Sequence, residues 1–91
     1  MEQYRIALVG IVVEDPESAD KINSTLHHYA QYIVGRMGVP YKSRGVSVIS
    51  IVIDAPGNVI SALSGKLGMI QGCNAKTVYS NVTFDEEVKC Q

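Results

Sequence analysis

Two nearly identical stretches decide the fold of this chain: IVVEDP at residues 11–16 and IVIDAP at residues 51–56. Each one ends an apolar run rich in Ile and Val, which is typical of a strand buried in a sheet. Each then places an acidic residue and a proline ahead of a segment whose apolar residues recur at helical spacing. The chain therefore repeats one unit, a strand followed by a helix.

In the first copy, the apolar run over residues 6–13 predicts a strand. Asp15 is suited to cap the following helix, and Pro16 to occupy its first position, where a missing N–H costs nothing. The helix is predicted to end near His28 or to continue to Val34. Its predicted buried face consists of Ala19, Ile22, Leu26, Tyr29 and Ala30.

The second copy predicts a strand over residues 46–53, a turn over 54–58 and a helix that ends near Gly68 or Gly72. The acidic residue of this copy, Asp54, is interpreted as part of the helix start. The predicted apolar side of the helix consists of Val59, Ile60, Leu63 and Leu67.

A β-prone segment follows each helix, at residues 32–39 and 73–79, and a turn is expected over 40–45. The order is thus βαβ twice, and right-handed crossovers lead to a four-stranded antiparallel sheet with two helices on one face. The predicted fold class is α+β, a ferredoxin-like two-layer sandwich. We expect a single domain over residues 1–80 and a short C-terminal tail over 81–91.

The composition of the 91-residue chain excludes several classes of protein. Its net charge is −1 and no Lys/Arg cluster is present, so we expect no direct contact with nucleic acid. No apolar run is long enough to cross a membrane, and the N-terminus lacks the pattern of a secretion signal, so a cytoplasmic location is expected. Cys73 and Cys90 are then predicted to be free thiols.

The strands are apolar at consecutive positions, which places apolar side chains on both faces of the sheet. The helices cover only one of those faces. The other would be an exposed apolar patch on a monomer, so a homodimer or homotetramer is expected.

No stretch of the chain predicts a catalytic centre. Gly65-Lys66 lacks the spacing of a phosphate-binding loop, and no serine or cysteine lies in a strand-turn-helix elbow. The candidate ligand-binding residues are His27, His28, Arg36 and Lys66, which supply protonatable or cationic groups for a small anion. Arg36 and Lys66 are equally compatible with solvated surface charges. We expect no enzyme activity, no cofactor and no resident metal ion; the alternative is a metal-responsive regulator that uses His27 or His28 across a subunit interface.

Three stretches carry a family resemblance: ALSGKLGMIQG at residues 62–72, RMGVPY at 36–41 and IVVEDP at 11–16. Together they resemble the iron-only hydrogenase system regulators. The resemblance implies an ACT-like, ferredoxin-like domain that associates with itself and has a regulatory role.

A more distant likeness is to the C-terminal domain of nickel-responsive repressors, at Ser24-Thr25-Leu26-His27. The other three ligand positions of those repressors have no matching His or Cys here, and their DNA-binding arm has no counterpart. The expected function is an oligomeric module of the hydrogenase system that senses a small ligand or binds a protein partner, without a DNA-binding domain of its own.

Overall fold

The doubled strand–helix unit is present in the structure, a computed structural model that describes residues 3–85. In chain order the elements are β1 (Gln3–Val13), α1 (Ala19–His28), β2 (Ile33–Tyr41), β3 (Val46–Pro56), α2 (Gly57–Gly68) and β4 (Cys73–Asp85). The four strands form one antiparallel sheet in the order β2-β3-β1-β4. The predicted ferredoxin-like α+β fold is confirmed. Neither helix in the described part of the chain is long and apolar enough to cross a membrane.

The core lies between the helices and one face of the sheet. Every second residue of the two central strands faces it, as expected for a pleated strand. These buried residues are Ala7, Val9, Ile11 and Val13 on β1 and Ile51, Ile53 and Ala55 on β3; the helices add Ile22, Leu26, Ile60, Leu63 and Leu67.

The predicted inner face of the first helix is correct at Ile22, Leu26 and Tyr29 and wrong at Ala19 and Ala30, which are exposed. Both alanines lie at boundaries of the helix. A 3-10 turn at Pro16–Ser18 precedes α1, and a second one at Ala30–Tyr32 follows it. Helical spacing therefore does not extend to Ala30, whereas Ala19 is the first residue of α1 and is exposed there. The helix ends at His28, the earlier of the two predicted positions.

The corner between β1 and α1 is built as expected. A carboxylate oxygen of Asp15 accepts a hydrogen bond from the backbone N–H of Glu17 at 3.0 Å, and Pro16 occupies the first position of the turn. This contact satisfies one of the backbone donors that a helical N-terminus leaves unpaired.

The second corner differs from the prediction. β3 continues through Pro56 and α2 begins at Gly57, so no turn separates them and the helix has no side-chain cap. Asp54 lies within the strand, opposite Ile6 of β1, so its interpretation as a helix start is wrong. The strand is extended because Tyr4 pairs with Pro56 and because Ala55 and Pro56 are both buried.

Two other boundaries move outward for the same reason, namely strand pairing. β4 reaches Asp85, which pairs with Gln3, so the boundary placed at residue 80 falls inside a strand. β2 includes Pro40 and Tyr41, and the hairpin then turns through Lys42–Arg44 and Gly45.

Gly45 has φ 68°, a left-handed conformation that glycine adopts without strain. Residues 86–91 of the expected tail lie outside the described residues.

Gly72 joins the segment that follows α2 to the corner between β1 and α1. Its φ is 79°, and its carbonyl accepts a hydrogen bond from the Glu14 N–H at 2.7 Å. The neighbouring Gln71 carbonyl accepts one from the Ser18 hydroxyl. A Cβ atom on Gly72 would lie 2.5 Å from the Cβ of Asp15, so only glycine fits here.

Candidate functional site

A cavity of about 690 Å³ lies between α1 and the hairpin of β2 and β3. It forms where the hairpin extends beyond the helix layer. Its apolar lining includes Val13, Pro16, Ala19, Pro40 and Ile49, and its polar side chains are Asn23, Arg36, Lys42 and Ser47. Both the volume and the mixture of apolar surface with a few polar groups are typical of small-molecule sites.

The cavity is electrostatically positive. Arg36 and Lys42 line it, and no carboxylate does. An Arg36 guanidinium nitrogen, Nη2, donates to Oδ1 of Asn23 at 2.7 Å, a neutral partner that orients the side chain, and no carboxylate of residues 3–85 pairs with it to compensate its charge. Two cations beside an apolar wall can bind an anion that carries an apolar group.

Lys42, Asn23 and Ser47 were not predicted as site residues from the sequence. Lys42 lies in the segment 40–45, which was expected only to form a turn. One signal was available. Residues 21–53 contain no Asp or Glu, although they include Lys21, Arg36, Lys42 and Arg44. A one-sided charge distribution over a continuous stretch of chain indicates a local positive field.

The structure places only one of the four predicted ligand-binding residues in this cavity. Arg36 lines it, whereas His27, His28 and Lys66 do not. The two histidines are exposed at the last positions of α1. Lys66 on α2 lies over the ring of Tyr29, with Nζ 5.4 Å from the ring centroid.

The histidines have no ready-made metal site around them. Within residues 3–85, no group of three or more His, Cys, Asp or Glu side chains could hold a metal ion. His28 donates its Nδ1–H to the Ser24 carbonyl at 2.8 Å, since a carbonyl oxygen can only accept. Nε2 of His28 is then the nitrogen that carries the free lone pair.

The face of the sheet opposite the helices is apolar and open, as the sequence predicted. Leu8 of β1 lies at its centre, flanked by Val52 on β3 and Val78 on β4. Leu8 is 48% exposed and Val78 is 64% exposed. Other exposed apolar side chains of this face are Val12, Val48, Met37, Val39 and Tyr41. We call this surface the free sheet face.

Asp54 is the acidic residue on the free sheet face. Its neighbours in β3, Ile53 and Ala55, point into the core, so its own side chain points the other way. Oδ1 of Asp54 is buried and has no hydrogen-bond partner within the described residues. Buried acceptors of this kind are normally paired, so an unpaired oxygen at this position is uncommon.

Cys73, at the start of β4, is packed against the core and is 9% exposed. Burial raises the pKa of its thiol, because desolvation disfavours the thiolate. A raised pKa is the opposite of what activates a nucleophilic cysteine. The position of Cys73 is therefore that of a structural residue.

Comparison with known proteins identifies the family. Residues 5–77 match the TM1266-like family, described as "Iron-only hydrogenase system regulator, putative". The chain belongs to the TM1266-like family. The structure of protein TM1266 from Thermotoga maritima superposes with a TM-score of 0.80 at 34% identity, over 84% of this chain and 96% of that one. The resemblance found in the sequence is confirmed, and the description of the TM1266-like family is that of a regulator.

A formyltetrahydrofolate deformylase from Pseudomonas putida KT2440 shares the fold alone. Its TM-score with the TM1266-like chain is 0.58 at 12% identity, over 86% of this chain and 29% of the deformylase. No curated protein matches the chain.

Proposed function

We propose that this TM1266-like protein is a cytoplasmic regulatory module of the iron-only hydrogenase system that works as a homodimer or homotetramer. It responds to a small anionic ligand or to a protein partner. Membership of the TM1266-like family supports the regulatory role. The free sheet face is the observation that carries the self-association.

The free sheet face favours a second copy of the chain as its cover. Its central side chains, Leu8, Val52 and Val78, lie side by side across three strands. Removing apolar surface from water stabilises a complex by about 25 cal/mol per Å² before the costs of association.

The test is the mass of the protein in solution with and without a charge at the centre of this face. Leu8→Glu places a carboxylate among the apolar side chains, where it would have to be desolvated on association. We expect light scattering after size exclusion to give an oligomer for the unmodified protein and a monomer for Leu8→Glu.

Met69→Glu is the matched control, because Met69 is 86% exposed but follows α2, away from the free sheet face. It is expected to remain an oligomer. A monomeric unmodified protein at the concentrations of the assay would refute the proposed self-association.

For the ligand, we propose Arg36 as the main cationic contact, with His27, His28 and Lys66 as exposed groups that a neighbouring subunit can bring into the same groove. The uncompensated charge of Arg36 supports its role. Lys66 contacts the ring of Tyr29, the residue that directly follows the two histidines in the chain.

A metal-responsive role is the second candidate, favoured by the orientation of His28. Its Nδ1–H is donated to a backbone carbonyl, the arrangement that leaves Nε2 available as a ligand. Two subunits would have to contribute ligands together. Calorimetric titration with Ni²⁺ or Zn²⁺ tests this: metal binding that is lost in His27→Ala/His28→Ala and kept in Gln31→Ala, an exposed control on the adjacent turn, would support it. Equal metal affinity in all three proteins would refute it.

A further inference from the structure

We propose that the cavity between α1 and the hairpin of β2 and β3 binds an organic anion with an apolar body, its charged head held by Arg36 and Lys42. This inference rests on the proposed sensing role and names the site and the chemical class of its ligand. The proposed site adds Lys42, Asn23 and the apolar lining of the cavity to Arg36, which was predicted from the sequence.

The shape of the cavity sets the size and polarity of the ligand. Its volume of about 690 Å³ is far larger than an inorganic anion needs, and it falls within the range of sites for drug-sized molecules. Val13, Ala19 and Ile49 supply apolar surface on three different elements. An inorganic anion would leave that surface in water, whereas an organic anion would cover it.

The charges of the cavity set the sign of the ligand. Arg36 is held by a neutral amide, and an arginine fork keeps further N–H groups for a carboxylate or phosphate head. Lys42 begins the 3-10 turn at the end of β2 and adds a second positive charge.

The nearest acidic residues in sequence do not cancel this field from within the cavity. Asp15 caps the turn at Pro16–Ser18, and Glu14 accepts from the Asn74 side chain at 3.0 Å. Glu17 and Asp20 are exposed, and neither lines the cavity.

The experiment is a titration followed by amide chemical shifts, with 4-phenylbutyrate as the probe. Acetate and inorganic phosphate supply charge without the apolar body, and 4-phenylbutanol supplies the body without charge. We expect 4-phenylbutyrate to shift the amides of Gly38, Gly45 and Ser47 and to bind at least about tenfold more tightly than the other three, since each lost class of contact costs on the order of a factor of ten.

Hexyl phosphate distinguishes the two possible heads. If hexyl phosphate binds as tightly as 4-phenylbutyrate, the site recognises only a negative charge and an apolar body. A tenfold preference for either compound assigns the head to carboxylate or to phosphate. Both results support the site.

Two kinds of variant locate the binding. Arg36→Gln/Lys42→Gln should raise Kd at least about tenfold, whereas Lys21→Gln/Arg44→Gln, which removes the same net charge at exposed residues outside the cavity, should raise Kd much less. Gly38→Leu should abolish binding, because Gly38 lines the cavity and a Cβ on it meets no atom within 4 Å. Gly65→Leu, at an equally open glycine on α2, should not.

Three results would overturn the proposal: no shifts with any probe, equal Kd for 4-phenylbutyrate and acetate, or an unchanged Kd in both Arg36→Gln/Lys42→Gln and Gly38→Leu. Its failure is separable from failure of the proposed function. A protein that is monomeric in solution yet binds 4-phenylbutyrate refutes self-association and keeps the site. A protein that is oligomeric but binds none of the probes refutes the ligand site and keeps the proposed self-association.

Discussion

Gly72 is the residue at which the fold is least tolerant of change. Alanine there would need a left-handed backbone, which costs an L-residue about 1–2 kcal/mol, and its Cβ would lie 2.5 Å from that of Asp15. We expect Gly72→Ala to lower the free energy of unfolding by at least about 2 kcal/mol, measured by urea denaturation. Gly65→Ala is the control, since helix propensity predicts an unchanged or higher stability. Equal stabilities of the two variants would contradict this role of Gly72.

Ionisation of the Cys73 thiol is expected to lower the stability of the fold at alkaline pH. Burial raises the pKa of its thiol above the 9.0 of a solvated cysteine, so the folded chain holds the proton more tightly than the unfolded chain. The associated stability is fully present below pH 9 and is lost as the pH rises toward the pKa in the folded state. We expect the free energy of unfolding to fall more steeply as the pH rises above 9 in the unmodified protein than in Cys73→Ala. Parallel curves would show that the buried thiol does not titrate in this way.

At the scale of single elements, the two copies of the motif begin their helices differently. The first uses the Asp15 carboxylate to cap the turn, and the second begins directly after Pro56 with no side-chain cap. Asp15→Ala should therefore cost about 1 kcal/mol in urea denaturation. Asn58→Ala, near the start of α2, is the control and should cost less. A loss of stability at Asn58 as large as that at Asp15 would show that the cap is not the source.

The sequence predicted those features of the fold that depend on the residues of a single helix or strand. Alternation in β1 and β3 and the inner positions Ile22 and Leu26 follow from local spacing. The end of β3 does not, because Pro56 is held in the strand by pairing with Tyr4 across the sheet. The cavity was missed for a related reason: it depends on how far the β2–β3 hairpin extends past α1, which is set by strand register. Arg36 was identified by its charge, but its partner Asn23 could not be.

At the scale of the whole molecule, the free sheet face should make thermal stability depend on protein concentration. Association that occurs only in the folded state raises Tm as the concentration rises. We expect Tm to increase over a hundredfold range of concentration for the unmodified protein and to stay constant for Leu8→Glu. A constant Tm for both proteins, measured by circular dichroism, would mean that the free sheet face remains exposed to solvent.

The pairing of Gln3 with Asp85 has a mechanical consequence. β1 and β4 are antiparallel, so the first and last described residues lie side by side at one end of the molecule. A force that draws the two termini apart breaks the hydrogen bonds between β1 and β4 one residue pair at a time. The bonds are never all loaded together. β4 lies at the edge of the sheet and separates first. A cellular unfoldase that pulls from the C-terminus would therefore meet little resistance from β4, and the larger resistance would come when α2 and then β3, a central strand of the sheet, begin to leave.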